Sequence, residues 1–188
     1  HPTPEPSGLE WIAGGHVTTP AGFVAGGAYA GIKTYGDDPR LDIGILGGEG
    51  PLTVAGIFTR NAVTGVSVAW DKAVLAERRV VRGLVCNSGN ANTVTGDQGE
   101  RDCARMAALA AARLGCDARE VLVGSTGVIG RLLPMEQVEH GLAEVTLTSE
   151  GGLRFARAIM TTDTHEKQAA ARITAGGRTY TIGGCAKG

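Results

Sequence analysis

The chain has 188 residues, 43% apolar and 20% charged, enough to bury a core without disulfide staples. Its 18 basic and 19 acidic residues leave a net charge of -1, which argues against an electrostatic grip on nucleic acid or an anionic membrane. No apolar run approaches the ~20 residues a membrane-spanning helix needs, and the polar start, His1 to Ser7, is unlike a signal sequence, so a cytoplasmic protein is expected.

Thirty glycines predict many turns and close backbone approaches. After the polar leader, Gly22 to Gly27 is too glycine-rich for a helix and too apolar for a disordered tail, and reads as extended and buried. Leu41–Leu46, Val54–Thr59, Val63–Trp70 and Arg79–Cys86 read as four strands separated by turn residues. Strands this closely spaced favour an antiparallel or mixed sheet, because parallel neighbours need long crossovers.

The alanine-rich stretch from Gln98 to Leu114 is the strongest helix signal, with Gly115 as its stop. Val121–Val123 reads as a short strand entering Gly124–Gly130. A helix is expected to begin near Pro134, with the proline in its first turn and Glu136 near its positive end, and another to cover Leu153 to Met160. Gly176-Gly177 between Ala170–Ala175 and Arg178–Ile182 predicts a hairpin. The glycine-rich tail Ile182–Gly188 reads as a loop leading onward. Helices covering sheet layers in one α+β unit are the expectation.

The cysteines, Cys86, Cys103, Cys116 and Cys185, are widely spaced and read as buried free thiols, with neither zinc nor redox spacing. The four histidines lack the spacing of a helical metal site, and a Ser-His-Asp site is weakly supported. Four stretches can carry chemistry. Gly124–Gly130, a strand entering a Gly-flanked Ser-Thr turn, is either an oxyanion or phosphate cradle or a tight turn needing glycine. No Walker lysine follows Gly130, which disfavours nucleotide binding. Asn87–Asn92 is either ligand-binding or a structural Asx cluster. Met160–Thr164 packs three hydroxyls beside Asp163, whose more frequent use is a cap. Lys187 is either a solvated lysine or a partner for a substrate carboxylate.

Six stretches in order resemble the N-terminal half of the ornithine acetyltransferase family of arginine biosynthesis. They are Pro20–Phe23 with Gly31–Lys33, Ala55–Asn61, Asn87–Asn92, Ser125–Gly130, Ala158–Thr164 and Ala186–Gly188. The resemblance implies a layered α-β-β-α sandwich of the self-cleaving N-terminal-nucleophile type. It implies that residues 1–188 are a single α-chain unit ending short of the self-cleavage point. A separate β chain would complete it, bring the nucleophilic threonine and join α2β2 or larger assemblies. By the same resemblance Thr126 and Gly127 form the oxyanion hole, through hydroxyl and backbone N–H, while Thr161 and Lys187 bind substrate and Thr162 lies beside them. The implied reaction moves acetyl from N-acetylornithine to glutamate through an acetyl-threonine, with neither metal nor organic cofactor. A self-cleaving aminopeptidase or amidase, and a non-enzymatic small-molecule-binding module, are the rival readings.

Overall fold

The computed structural model describes residues 8–33 and 39–187; the leader His1–Ser7 and the final Gly188 fall outside them. A short strand β1 (Leu9–Trp11) precedes β2 (Phe23–Ala28), which realises the extended, buried glycine-rich segment. β3 (Ile43–Thr53) follows, then α1 (Val66–Glu77), β4 (Val80–Asn90), α2 (Gly96–Leu114) and β5 (Val121–Val128). The chain closes with α3 (Met135–Glu144), α4 (Gly152–Ala158), β6 (Lys167–Ala175) and β7 (Arg178–Ala186).

The strands form two sheets, ordered β2-β3-β4-β5 and β1-β6-β7. The larger is mixed: β2/β3 and β3/β4 are antiparallel, whereas β4/β5 are parallel and joined by the crossover helix α2. Ile45, Val85 and Val123 lie in register across three strands, so their side chains share one face. That face packs on Met106, Ala107 and Ala110 of α2 and Val138 and Leu142 of α3, all at most 1% exposed. The alanines explain the closeness: a helix with methyl groups on its inner face approaches a β-branched sheet without voids. α2 stops at Gly115, whose φ of 65° is the left-handed cap that only glycine adopts freely.

The sheet's opposite face carries α4, seated over β2 and β3 where Gly27 and Gly44 present no side chain. β5 is an edge strand, and α1 completes it with side chains. Trp70 Nε1 donates to the Val121 carbonyl at 3.0 Å, and the Val123 N–H donates to Asp71 Oδ1 at 2.8 Å. Two side chains thus stand where a fifth strand would pair, which blunts an otherwise reactive edge. Desolvation raises Asp71 to about 6 despite the Val123 N–H that opposes the shift.

Four sequence expectations need correction. Val63–Trp70 is not a strand, since α1 begins at Val66; its helix formers lie downstream of Trp70, and docking Trp70 and Asp71 on β5 overrides the local alternation. Among the described residues Val54–Thr59 pairs only at its start, where the Val54 N–H reaches the Arg79 carbonyl; beyond that it joins no described strand, and Ile57 stands fully exposed. Pro134 caps α3 from outside its first turn. The tail is strand rather than loop as far as Ala186, because the lower half of β6 is there to pair with it: Lys167 to Ala171 lie opposite Ala186 to Ile182. The predicted hairpin is therefore correct in its turn, where Gly176 and Gly177 both have positive φ, and longer than expected in both arms.

Candidate active site

The site begins where β4 and β5 run out together. Ser88 lies opposite Thr126 and Gly89 opposite Gly127, with an irregularity at Asn90 that ends the regular pairing. Gly89 has φ 100° and Gly127 φ 144°. A Cβ built on Gly127 would lie 2.2 Å from the Gly89 carbonyl carbon, so the two backbones meet at a distance no other residue permits.

The asparagine cluster stitches the loops beyond. Asn90 Nδ2 donates to the carbonyls of Arg131 and Leu132, and its Oδ1 accepts the Asn92 N–H at 2.8 Å. Asn92 Nδ2 donates to the Gly99 carbonyl, fixing the start of α2, and Asn87 Nδ2 donates to the Asn90 carbonyl. Of the two readings of Asn87–Asn92, Asn90 and Asn92 take the structural one: their side chains are spent on the backbone. Asn87 Oδ1 and Ser125 Oγ are buried with no hydrogen-bond partner among the described residues, directly behind the turn.

Thr126 lies on the side of the sheet away from α2 and α3, and lines a cleft of about 330 Å³ between the two sheets with Phe155 of α4. Lys187, one residue past β7, lines the same cleft from the other sheet. Between them the wall is apolar, built from Leu46, Leu84, Phe155 and Ile159 together with Cys86 and Cys185. All four cysteines are free, as expected, but only Cys103 is fully buried; the other three are partly exposed. Desolvation in the cleft pushes the Cys86 thiol up to about 12 and raises Cys185 as well, so both stay protonated at neutral pH and are weak nucleophiles. Neither thiol in the cleft is therefore an activated attacking group.

Thr161 is placed differently. It lines a neighbouring groove of about 720 Å³ with Lys33, Arg154, Arg157 and the residues up to Glu166. The two cavities adjoin through one peptide, since Ile159 lines the cleft and Met160 the groove. Asp163 Oδ2 accepts the Thr161 N–H at 3.2 Å and Asp163 also pairs with Lys167, so this carboxylate holds the turn behind it instead of capping the next segment through its backbone. Thr162 lines the same groove.

Sequence reasoning assigned no site role to two buried charges. Asp42 is wholly buried and accepts N–H groups from Ala30, Ile32 and Lys33, at 2.6, 2.7 and 3.1 Å. Lys33, 6% exposed, sends Nζ to the Met160 carbonyl at 2.7 Å. Desolvation lowers its pKa, with Asp42 pulling the other way. The available signal was Asp42 itself, a carboxylate between Leu41 and Ile43 at the start of a buried strand, where burial demands several donors. Among the described residues no group of three or more His, Cys, Asp or Glu could hold a metal ion, and no helix is long and apolar enough to cross a membrane.

Fold and site together define a layered α+β protein with an apolar cleft between its sheets, lined by Thr126 from one sheet and Lys187 from the other. The family model described as the ArgJ family matches residues 24–188, and the chain belongs to that family. It is 50% identical over 182 residues to the arginine biosynthesis bifunctional protein ArgJ of Symbiobacterium thermophilum and 43% identical over 171 residues to that of Thermotoga neapolitana. Those matches cover 96% and 90% of this chain but 44% and 42% of the relatives, so the chain spans less than half their length. Among solved structures, the ArgJ protein of Bacillus halodurans superposes with a TM-score of 0.88 at 35% identity, covering 96% of this chain and 93% of that one. Ornithine acetyltransferase of Mycobacterium tuberculosis, solved with ornithine, gives 0.87 at 40% identity, covering 96% and 95%. The α+β layered fold expected from the resemblance is that of these proteins.

Proposed function

We propose that this chain is the α subunit of a glutamate N-acetyltransferase of the ornithine acetyltransferase type, acting in arginine biosynthesis in the cytoplasm. The observation that carries the reading is the convergence of Thr126, from β5, and Lys187, from the end of β7, on one apolar cleft. The names of the relatives support it, and so do the lengths. The chain covers 95% of the solved ornithine acetyltransferase chain yet 44% of a full-length relative, as a precursor divided into two chains requires.

In this reading residues 1–188 form one unit, completed by a β chain from the same precursor in an α2β2 or larger assembly. The β chain's N-terminal threonine carries its own amine as base, so cleavage creates the nucleophile. Its hydroxyl oxygen attacks the acetyl carbonyl of N-acetylornithine, and the oxyanion forms between Thr126 Oγ and the Gly127 N–H. A donor fixed in advance at such an oxygen is worth about 3 kcal/mol. Collapse breaks the C–N bond, ornithine leaves with the proton, and the acetyl group stays on the threonine. Glutamate's amine then repeats the sequence in reverse and departs as N-acetylglutamate.

Lys187 pairs with the α-carboxylate that N-acetylornithine and glutamate share, a charge-assisted contact strengthened by the apolar wall around it. Thr161 holds the substrate from the adjoining groove. Leu46, Leu84 and Phe155 keep water from the acetyl-enzyme, which would otherwise hydrolyse. The test is to incubate the purified full-length protein with N-acetylornithine and measure intact masses. One acetyl group is expected on a threonine-initiated second chain, discharged by glutamate. Discharge to water at the same rate without glutamate points instead to an amidase.

A further inference from the structure

Lys33 touches both parts of the proposed site. Its Nζ holds the Met160 carbonyl at 2.7 Å, immediately before Thr161. Its Cα and Cβ press on Gly89: a Cβ added there would lie 2.6 Å from Lys33 Cβ and 3.0 Å from Lys33 Cα. Gly89 in turn is the residue against which Gly127 is packed. Asp42 fixes the Lys33 backbone by accepting its N–H, and the Asp42 carbonyl accepts the N–H of Ser88, beside Gly89. One buried lysine thus spans the distance from the oxyanion turn to the Thr161 segment.

We propose that Lys33 is a positioning residue for acyl transfer, setting the Met160–Thr161 peptide relative to the Thr126–Gly127 turn so that both engage one substrate. The proposal rests on the reading of the site given above. An ammonium in this place is expensive to bury, and a structural link of the same length could have been apolar. What the ammonium adds is direction: it points a carbonyl and so fixes the rotation of the next residue. Other contacts hold the same segment, among them Ser88 Oγ to the Ala158 carbonyl at 2.7 Å, the Met160 N–H to the Arg157 carbonyl and the Thr161 N–H to Asp163, so loss of the Lys33 link leaves the segment folded with its Met160–Thr161 peptide anchored on one side instead of two.

The test is a double-mutant cycle in the full-length protein, comparing Lys33→Met, Thr161→Ala and the pair. Lys33→Met keeps the stem that packs on Gly89 and removes only the donor. We expect KM for the acyl donor to rise about tenfold with a smaller change in kcat, since misplacement of a binding group by a fraction of an ångström has effects of that order. In a Thr161→Ala background the same substitution should change KM by less than about twofold, because its route of action is already gone. Lys33→Arg, which retains a donor on a long stem, should recover most of the loss. If Lys33→Met does not accumulate as folded protein, Lys33→Gln takes its place in the cycle. Equal effects in both backgrounds overturn the proposal, as does an unchanged KM. Thr126→Ala serves as the control: unaltered kinetics in both Thr126→Ala and Thr161→Ala would undo the site reading itself, whereas impaired controls with an additive cycle would remove only the role of Lys33.

Discussion

Gly127 lies directly on Gly89, and both glycines hold a positive φ. A methyl group on Gly127 meets backbone in three places, at 2.2, 2.4 and 2.5 Å from the Gly89 and Asn90 peptide. Backbone cannot swing aside as a side chain can, so β4 and β5 must part. Gly127→Ala is expected to lower stability by about 3 kcal/mol, combining left-handed strain with overpacking. Denaturant midpoints of the full-length protein measure this, and a change below about 1 kcal/mol would show that the strand ends are not locked together.

Thr126 is separable from that backbone constraint, because its side chain faces the cleft while its peptide belongs to the sheet. Thr126→Ala should cut kcat by about 100-fold to 1,000-fold with little change in KM, the pattern of a donor used only by the developing oxyanion. Thr126→Ser keeps the hydroxyl and should retain most of the rate. Steady-state kinetics on both variants decide the matter, and a Thr126→Ala enzyme whose only defect is KM would place the hydroxyl on the substrate's ground state.

The sequence made the three helices α2, α3 and α4 legible, together with the turn at Gly176-Gly177 and the strand into Gly124–Gly130, since each depends on local chemistry. What stayed hidden depends on partners. Val63–Trp70 alternates like a strand, but Trp70 and Asp71 find their use only against the edge of β5, some fifty residues away. Val54–Thr59 has strand composition and, among the described residues, no neighbour to pair with beyond its first residue. The tail looks loose until Lys167–Ala171 is laid beside it. The site divides in the same way. Thr126, Gly127 and Lys187 came through ordered motifs; Lys33 stood in one too, but its link to Met160, like the three N–H groups on Asp42, is made to backbone groups that no pattern of side chains records.

Lys187 follows the last paired residue of β7, whose partner is Lys167, so the strand pairing brings Lys187 to the wall of the cleft. Lys187→Met keeps the stem and removes the charge. KM for N-acetylornithine and for glutamate should rise together, by about tenfold to 100-fold, because both present the same α-carboxylate to the same group. An analogue of the donor lacking that carboxylate should bind the wild-type and the variant equally. Should only one of the two substrates be affected, Lys187 serves something other than the shared carboxylate.

Asp71 gives a prediction about pH, and its sign follows from the folded value of about 6 against an ordinary 3.8. The folded chain holds this proton more tightly than the unfolded chain does, so stability contributed by the protonated group is fully present below about pH 4 and falls as the pH rises to about 6. Above that it is constant, at a cost of up to about 3 kcal/mol for keeping the charge in a partly desolvated place. The charge is tolerated there because Asp71 Oδ1 accepts the Val123 N–H on the exposed edge of β5, which no main-chain neighbour satisfies. Asparagine presents an oxygen of the same shape without the charge. Asp71→Asn should therefore preserve the edge contact, flatten the stability profile between about pH 4 and 6 relative to wild type, and match or exceed wild-type stability at pH 7.5. Urea midpoints of the two proteins across that range test the point as a difference, so other titrating groups cancel. A variant that is less stable at pH 7.5 and keeps the wild-type slope would mean that the carboxylate is favoured at this edge, and that the desolvation argument for Asp71 is wrong.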